Sequence, residues 1–203
     1  MRTMSSPTPP VDPTTAQRYR ALVRRLDSLI EAVEAARNAT SNPWESPSPC
    51  AGWSAVDVLE HLTRTERDFL SGFDLAPEED PRSDDREPAL RRWAQVSRAA
   101  QRVLDDPDLA VTPHEGFFGP STFEQTFGSF YVFDVLVHTW DIARATGLTG
   151  FETMPVTEVE RCFAQMRAMG DNLRMEGICG PEIEVPEGAD LQTRFLAFLG
   201  RRP

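Results

Sequence analysis

An apolar run broken by three ionisable residues constrains this chain more than any other feature. From Phe130 to Ala143 it reads FYVFDVLVHTWDIA, and a helix that is apolar all round belongs inside a protein. Asp134, His138 and Asp141 interrupt it. At about 100° per residue these three fall within an arc of roughly 60°, so the spacing predicts one polar stripe on a buried rod. A buried carboxylate is costly unless it is paired or coordinates a metal. Something must meet the stripe.

Two answers compete. Asp134 and His138, at i and i+4, project from one helix face and can share a metal ion. The third ligand would be His61, the other histidine predicted within a bundle helix and near its inward face. Two histidines and a carboxylate with a fourth position open form the catalytic rather than the structural zinc arrangement. Asp141 would then support the site from behind, accepting the free ring N–H of a ligand histidine. Against this, an Asp/His pair at i,i+4 arises often by chance, and a lone helical histidine is commonly a core or surface residue. The other answer, a salt bridge, needs an arginine inside the bundle, and the sequence offers none well placed. Arg64 is nearest, but Glu60 at i−4 gives it a surface partner. His114 reads as a loop residue, although loops at a bundle mouth can line a site. Cys50 follows a proline in a loop and reads as structural or incidental. Phe117 and Phe118 are candidates for pocket lining.

The remaining chain supplies partners for the rod. Residues 1–12 (MRTMSSPTPPVD) are rich in Pro, Ser and Thr and read as a flexible tail; residues 13–203 read as a single domain. A first helix is predicted over 13–37, with Tyr19, Leu22, Val23, Leu26, Leu29, Ile30 and Val33 at three-four spacing. The loop SNPWESPSPCAGW has too many prolines to be helical. Ser54 and Asp57 then predict a capping box, with Trp53 stapling onto Val58. The second helix carries a core stripe of Val58, Leu59, Leu62, Thr65, Phe69 and Leu70, with His61 beside it. Residues 73–87 are acidic and proline-rich, a solvated loop. A third helix over 88–104 points Leu90, Trp93, Val96, Ala100, Val103 and Leu104 inward. Residues 105–120 read as an irregular connection. Ser121 and Glu124 predict the cap of the central helix, and Gly147 its C-cap with Arg144 in the last turn. A further helix over 155–173, a short extended piece at 183–185 and a terminal helix over 191–199 complete the reading. The expected fold is all-α: an antiparallel four-helix bundle with additional C-terminal helices and a short extended segment.

Composition narrows the chemistry. All 21 basic residues are arginine, which excludes a Schiff-base or phosphate-loop lysine. A net charge of −11 argues against nucleic acid or an anionic membrane as partner. Cys50, Cys162 and Cys179 form no CxxC and read as reduced thiols in a cytoplasmic protein. Neither a signal pattern nor a membrane-length apolar run is present.

The segments SPCAGWSAVDVLEHL and FDVLVHTWDIARATG resemble the mycothiol-dependent maleylpyruvate isomerases, N-terminal type, of the wider DinB/YfiT-like metalloenzymes. The ending GPEIEVPEGADLQTRFLAFLGRRP is similar to an actinobacterial branch of that group, and the resemblance covers about residues 15–203. It implies a four-helix bundle with a zinc-type ion on His61, Asp134 and His138, nickel, iron or manganese being alternatives. The characterised isomerase has Glu at the position of Asp134, so this arm is one methylene shorter. No counterpart of that enzyme's separate C-terminal domain is expected here, and its particular reaction is not carried over. The expected function is a metal-bound low-molecular-weight thiol, mycothiol by resemblance, aimed at a small electrophile in a transferase or isomerase reaction. No Ser/His/Asp or Cys/His nucleophile arrangement is needed or present. The rivals are a non-catalytic metal- or ligand-binding stress-response protein and a metal-dependent hydrolase. Partners are the small substrate and the thiol, with a homodimer left open.

Overall fold

A computed structural model describes residues 12–38, 40–78, 87–175 and 178–203; the expected N-terminal tail and much of the acidic loop after Phe73 lie outside the described residues. The first helix, α1 (Thr15–Ala36), begins where Thr14 and Gln17 cap each other, Gln17 N–H donating to Thr14 Oγ1 and Thr14 N–H to Gln17 Oε1. Its stripe of Tyr19, Leu22, Leu26, Leu29 and Val33 is buried. Helix α2 (Ala55–Ser71) opens at the predicted Ser54–Asp57 box, whose hydrogen bonds from Ser54 hold the Asp57 carboxyl below its ordinary range. Helix α3 (Glu87–Asp105) buries Trp93, Val96, Ala100, Val103 and Leu104. A one-turn helix, α4 (Pro107–Ala110), leads into a hairpin of β1 (Pro113–Gly116) and β2 (Gly119–Thr122). The long helix α5 (Phe123–Thr146) follows and stops at Gly147, which takes the left-handed conformation at φ 72°. Four helices close a ring of neighbours: α1 lies against α5, α5 against α2, α2 against α3, and α3 against α1. The fold is the mostly helical bundle expected, with one two-stranded sheet among the described residues.

The hairpin corrects the reading of 105–120 as irregular. Pro113 pairs with Thr122, His114 with Ser121 and Gly116 with Gly119. Pairing draws Ser121 into β2, so the cap of α5 moves one residue on, to Thr122 and Gln125 rather than Ser121 and Glu124. His114 is a pin: its Nε2 sits 2.9 Å from Thr126 Oγ1 on α5, and its ring meets Phe69 and Phe73.

The C-terminal third departs in two more places. The helix predicted to 173 ends early: α6 (Val156–Ala168) gives way to a 3-10 turn at Gly170–Arg174, where Gly170 has φ 56°. The piece at 183–185 pairs with no strand; its tie is Ile183 N–H donating to Ala197 O. Helix α7 (Leu191–Phe198), capped by Asp190, then closes the fold. A bidentate ion pair that no stripe announced fixes α6 to α1, with Arg18 Nε and Nη2 donating to the Glu158 carboxylate at 2.7–3.0 Å and both side chains buried.

Glu66, on the buried face of α2, is fully buried. Tyr19 O–H donates to its Oε2 at 2.5 Å, and its Oε1 has no hydrogen-bond partner. Burial, reinforced by the Asp134 charge and only partly offset by the Tyr19 hydrogen bond, pushes its carboxyl up to about 8. The folded state therefore holds a proton that the unfolded chain releases, and stability falls as pH rises from about 4.5 towards 8. Glu66→Gln, which mimics the protonated acid, should stabilise the protein at pH 8 by roughly 2–4 kcal/mol. The gain should vanish once the pH falls well below 4.5, where both states are protonated. Urea unfolding under the two conditions checks this, and a pH-independent difference would contradict it.

Candidate metal centre

Four segments converge at one end of the bundle. Helix α5 supplies Asp134, His138 and Asp141; α2 supplies His61; the loop before α2 supplies Cys50 and Trp53; the residues after α7 supply Arg201. Asp141 is fully buried and receives hydrogen bonds from all sides. Arg201 Nε lies 2.9 Å from its Oδ1 and Arg201 Nη2 lies 2.8 Å from its Oδ2. The Cys50 thiol donates to Oδ2 at 3.4 Å, and His138 Nδ1 lies 2.9 Å from the same oxygen. Burial alone would raise the Asp141 carboxyl. The Arg201 charge and the bonds from His138 and Arg201 outweigh it and hold the group at about 2. An ionised carboxylate only accepts, so His138 carries its proton on Nδ1.

The sequence offered no arginine for the stripe, and here the structure corrects it. Arg201 arrives from the far end of the chain. Gly200 has φ 80°, Gly200 N–H donates to Ala197 O and Arg201 N–H to Leu196 O, the two bonds of a Schellman stop. A Cβ on Gly200 would come 3.0 Å from Gly180 Cα and Pro181 O. Glycine is thus required both for the backbone angle and for the close passage of the 180–181 segment, and the stop aims Arg201 back at Asp141.

With Nδ1 committed to Asp141, Nε2 is the His138 nitrogen left free. The rings of His61 and His138 lie edge to face, centroids 5.0 Å apart, and the Trp53 ring packs against His61 at a tilt, centroids 4.9 Å apart. His61 Nε2 is 4.0 Å from Asp134 Oδ2, and its Nδ1 is buried without a partner. So the structure brings His61 to both Asp134 and His138, while Asp141 sits behind His138. Burial, with the charges of His138, Arg64 and Arg201, pulls His61 down to about 4. Burial also opposes a charge on His138, but the Asp141 and Cys50 contacts and the Asp141 and Asp134 charges prevail and bring it to about 9. Asp134 is pushed up by burial, against the pull of His138 and Arg201.

Among the described residues, the one trio whose ligand atoms are spaced to share an ion overlaps this cluster without including His61 or Asp134. Ligand atoms of Cys50, His138 and Asp141 all lie within 4.8 Å of one another. The sequence reads Cys50 as structural or incidental, and no spacing rule flags its partner, because it reaches Asp141 across 91 residues of sequence. These atoms already bond each other and Arg201, so a cation among them would have to break that knot. Those of His61 and Asp134 make no such bonds.

A cavity of about 660 Å³ opens over the cluster. Its lining combines Cys50, His61, Asp134, His138, Arg174 and Arg201 with the apolar Phe130, Phe133, Val137, Met166, Met169 and Leu199.

The mycothiol maleylpyruvate isomerase N-terminal domain model matches residues 19–143. The chain belongs to that family. The match includes His61, Asp134, His138 and Asp141 and ends before Arg201. Among curated proteins, two of Mycobacterium tuberculosis are 27% identical over 177 residues, 81% of this chain and 88% of theirs: uncharacterized protein MT0763 of strain CDC 1551 / Oshkosh and uncharacterized protein Rv0738 of strain ATCC 25618 / H37Rv. No solved structure matches significantly. Among the described residues, no helix is long and apolar enough to cross a membrane.

Removing Arg201 leaves the buried Asp141 carboxylate short of its main countercharge. Arg201→Met should destabilise the protein by about 3 kcal/mol, and Asp141→Asn in the same chain should recover much of the loss, since it deletes the stranded charge. Urea denaturation of the two single variants and the double variant measures this; additive losses would refute the coupling.

Proposed function

We propose that His61, Asp134 and His138 hold one divalent cation, and that the protein joins a low-molecular-weight thiol to a small electrophile as a transferase or isomerase. The 4.0 Å between His61 Nε2 and Asp134 Oδ2 carries this reading. It is too long for a hydrogen bond and only about half an ångström beyond the roughly 3.4 Å that separates two ligand atoms of one tetrahedral zinc-type ion, so a small side-chain shift brings both onto a shared cation. His61 is held by packing against Trp53 and His138, and no hydrogen bond competes for the Nε2 that faces Asp134. Imidazole and carboxylate donors suit zinc first, with nickel, iron or manganese as alternatives. Bound there, the cation supplies Lewis acidity that favours the thiolate form of a coordinated thiol near neutral pH.

The chain's own residues do the rest. His61, with its pKa near 4, is neutral and ready to ligate across the physiological range. Asp141 fixes the tautomer and tilt of His138, and Arg201 fixes Asp141. The apolar wall of Phe130, Phe133, Met166 and Met169 limits water at the reacting end. Family membership supports mycothiol as the thiol, which a cytoplasmic protein would meet.

His138 must shed a proton to ligate. It is protonated below about 9, so between pH 6 and 8 apparent zinc affinity should rise about tenfold per pH unit. His61, neutral above about 4, adds no slope. Competition with a chromophoric chelator reads this out, and a flat profile would exclude His138 as a ligand. Purified without a metal-binding tag, the protein should carry about one ion per chain, and stripping it should lower the melting temperature. His61→Ala and His138→Ala should each abolish binding while remaining folded. Asp141→Asn should weaken binding or activity about 10–100-fold. Turnover is then assayed with mycothiol and a panel of small electrophiles; a metal-loaded wild type inactive across the panel would leave a binding role in place of catalysis.

A further inference from the structure

Beside the metal cavity lies a second pocket, of about 330 Å³, with no ionisable residue in its lining. Charged residues make up 26% of this chain, and the other pockets on the bundle are lined with arginines and carboxylates. Phe117, Phe118, Phe130, Gln165 and Met169 shape this one, and Phe130 and Met169 line the metal cavity as well. The two spaces share a wall.

The lip of the pocket is the hairpin tip. Gly116 pairs with Gly119, which leaves Phe117 and Phe118 as a two-residue loop. Such positions usually hold Gly, Asn, Asp or Ser, whose conformational freedom or local hydrogen bonds favour turns. Here they hold two rings that are 59% and 63% exposed and so contribute little to the core. The chain nonetheless holds them in place. Gly119 has φ 103°, and a Cβ on Gly116 would come 3.1 Å from Ser121 Cβ. The His114–Thr126 and Thr126–Ser121 contacts, at 2.9 and 3.0 Å, tie the hairpin to α5. Phe118 lies nearly parallel to Phe130, centroids 6.4 Å apart, and Phe117 packs edge-on against Phe118. The Gln165 amide in the lining is engaged internally, donating to Ser129 O. A ligand here would meet aromatic and thioether surface with no charge to pair.

We propose that the electrophile carries a neutral apolar tail, an aryl or alkyl group, that lies between Phe118, Phe130 and Met169 while its reactive end reaches the His61–Asp134–His138 centre. The reactive end rests on the function proposed above; the tail site is testable without it.

Metal-free protein is titrated with N-phenyl-1-naphthylamine, a neutral probe that brightens in apolar surroundings, and the probe is displaced by 1-alkanols from butanol to decanol. One probe should bind per chain. Each added methylene should tighten the alcohol roughly threefold until the chain outgrows the pocket. Phe118→Ala should weaken both probe and alcohols at least tenfold, and Phe118→Arg further, while Val156→Ala, at an equally exposed apolar position on α6, and His138→Ala should leave them unchanged. Thermal melts confirm that each variant is folded. Zinc-loaded protein is then given 1-octanethiol and 1-octanol. The thiol should bind at least tenfold tighter, losing that advantage in His138→Ala and losing affinity alongside the alcohol in Phe118→Ala. Binding indifferent to chain length or to Phe118 overturns the tail site. A self-associated protein that excludes the probe and is dispersed by Phe118→Arg, seen by sedimentation, also overturns it and makes the hairpin tip a contact between copies. If the tail site behaves as stated but the thiol has no advantage, the metal–thiol reading is what fails.

Discussion

The rest of the site depends on keeping one carboxylate ionised inside an apolar helix. Asp141 has no exposed surface, and an isolated charge there would cost several kcal/mol. It is tolerated because a guanidinium, an imidazole and a thiol surround it. Each donor comes from a different part of the chain, so satisfying Asp141 also assembles the site. The loop before α2 is brought in with Cys50, the C-terminal residues with Arg201, and the ring of His138 is turned so that its other nitrogen is free.

That knot divides the polar stripe of α5 into two functions. Asp141 has a full set of donors and serves the architecture. Asp134 lies one helical turn and more away, raised by burial and facing His61 across a gap too long for a hydrogen bond. Asp141 is satisfied by hydrogen bonds from the protein, whereas Asp134 faces His61 at 4.0 Å without one. Glu66, neutral beneath them, keeps the local acidic charge from growing further, since its carboxyl holds its proton near neutrality. The cluster therefore combines a rigid anionic support with an under-compensated face open to a cavity whose other walls are largely apolar, with Arg174 among them.

Periodicity and capping chemistry, which act over a few residues, were legible directly. The helices α1, α2 and α3 sit where three-four apolar spacing placed them, α5 sits where the all-round apolar run placed it, and the Ser54–Asp57 box and the Gly147 stop are local hydrogen-bond rules read from neighbouring residues. The same locality explains the misses. Ser121 and Glu124 satisfy the capping pattern as well as Thr122 and Gln125 do, and only the pairing of Ser121 with His114 across the hairpin decides between them. The helix expected to continue to residue 173 is broken at Gly170, where a left-handed backbone angle ends it.

By itself, the sequence determined that α5 would be buried, that Asp134, His138 and Asp141 would share one face of it, and that one further helical histidine, His61, could accompany them. These follow from the 3.6-residue period and the cost of burying charge. Only the tertiary structure decided which partner each polar group receives. Arg201 reaches Asp141 across 60 residues, Cys50 across 91, and Glu158 reaches Arg18 across 140. Such pairings carry no periodic signature, because they are set by where loops and chain ends come to rest once the apolar faces have packed. The physical reason is one of range: hydrophobic patterning and capping are written in consecutive residues, whereas desolvated charge is satisfied by whichever donor the finished fold delivers.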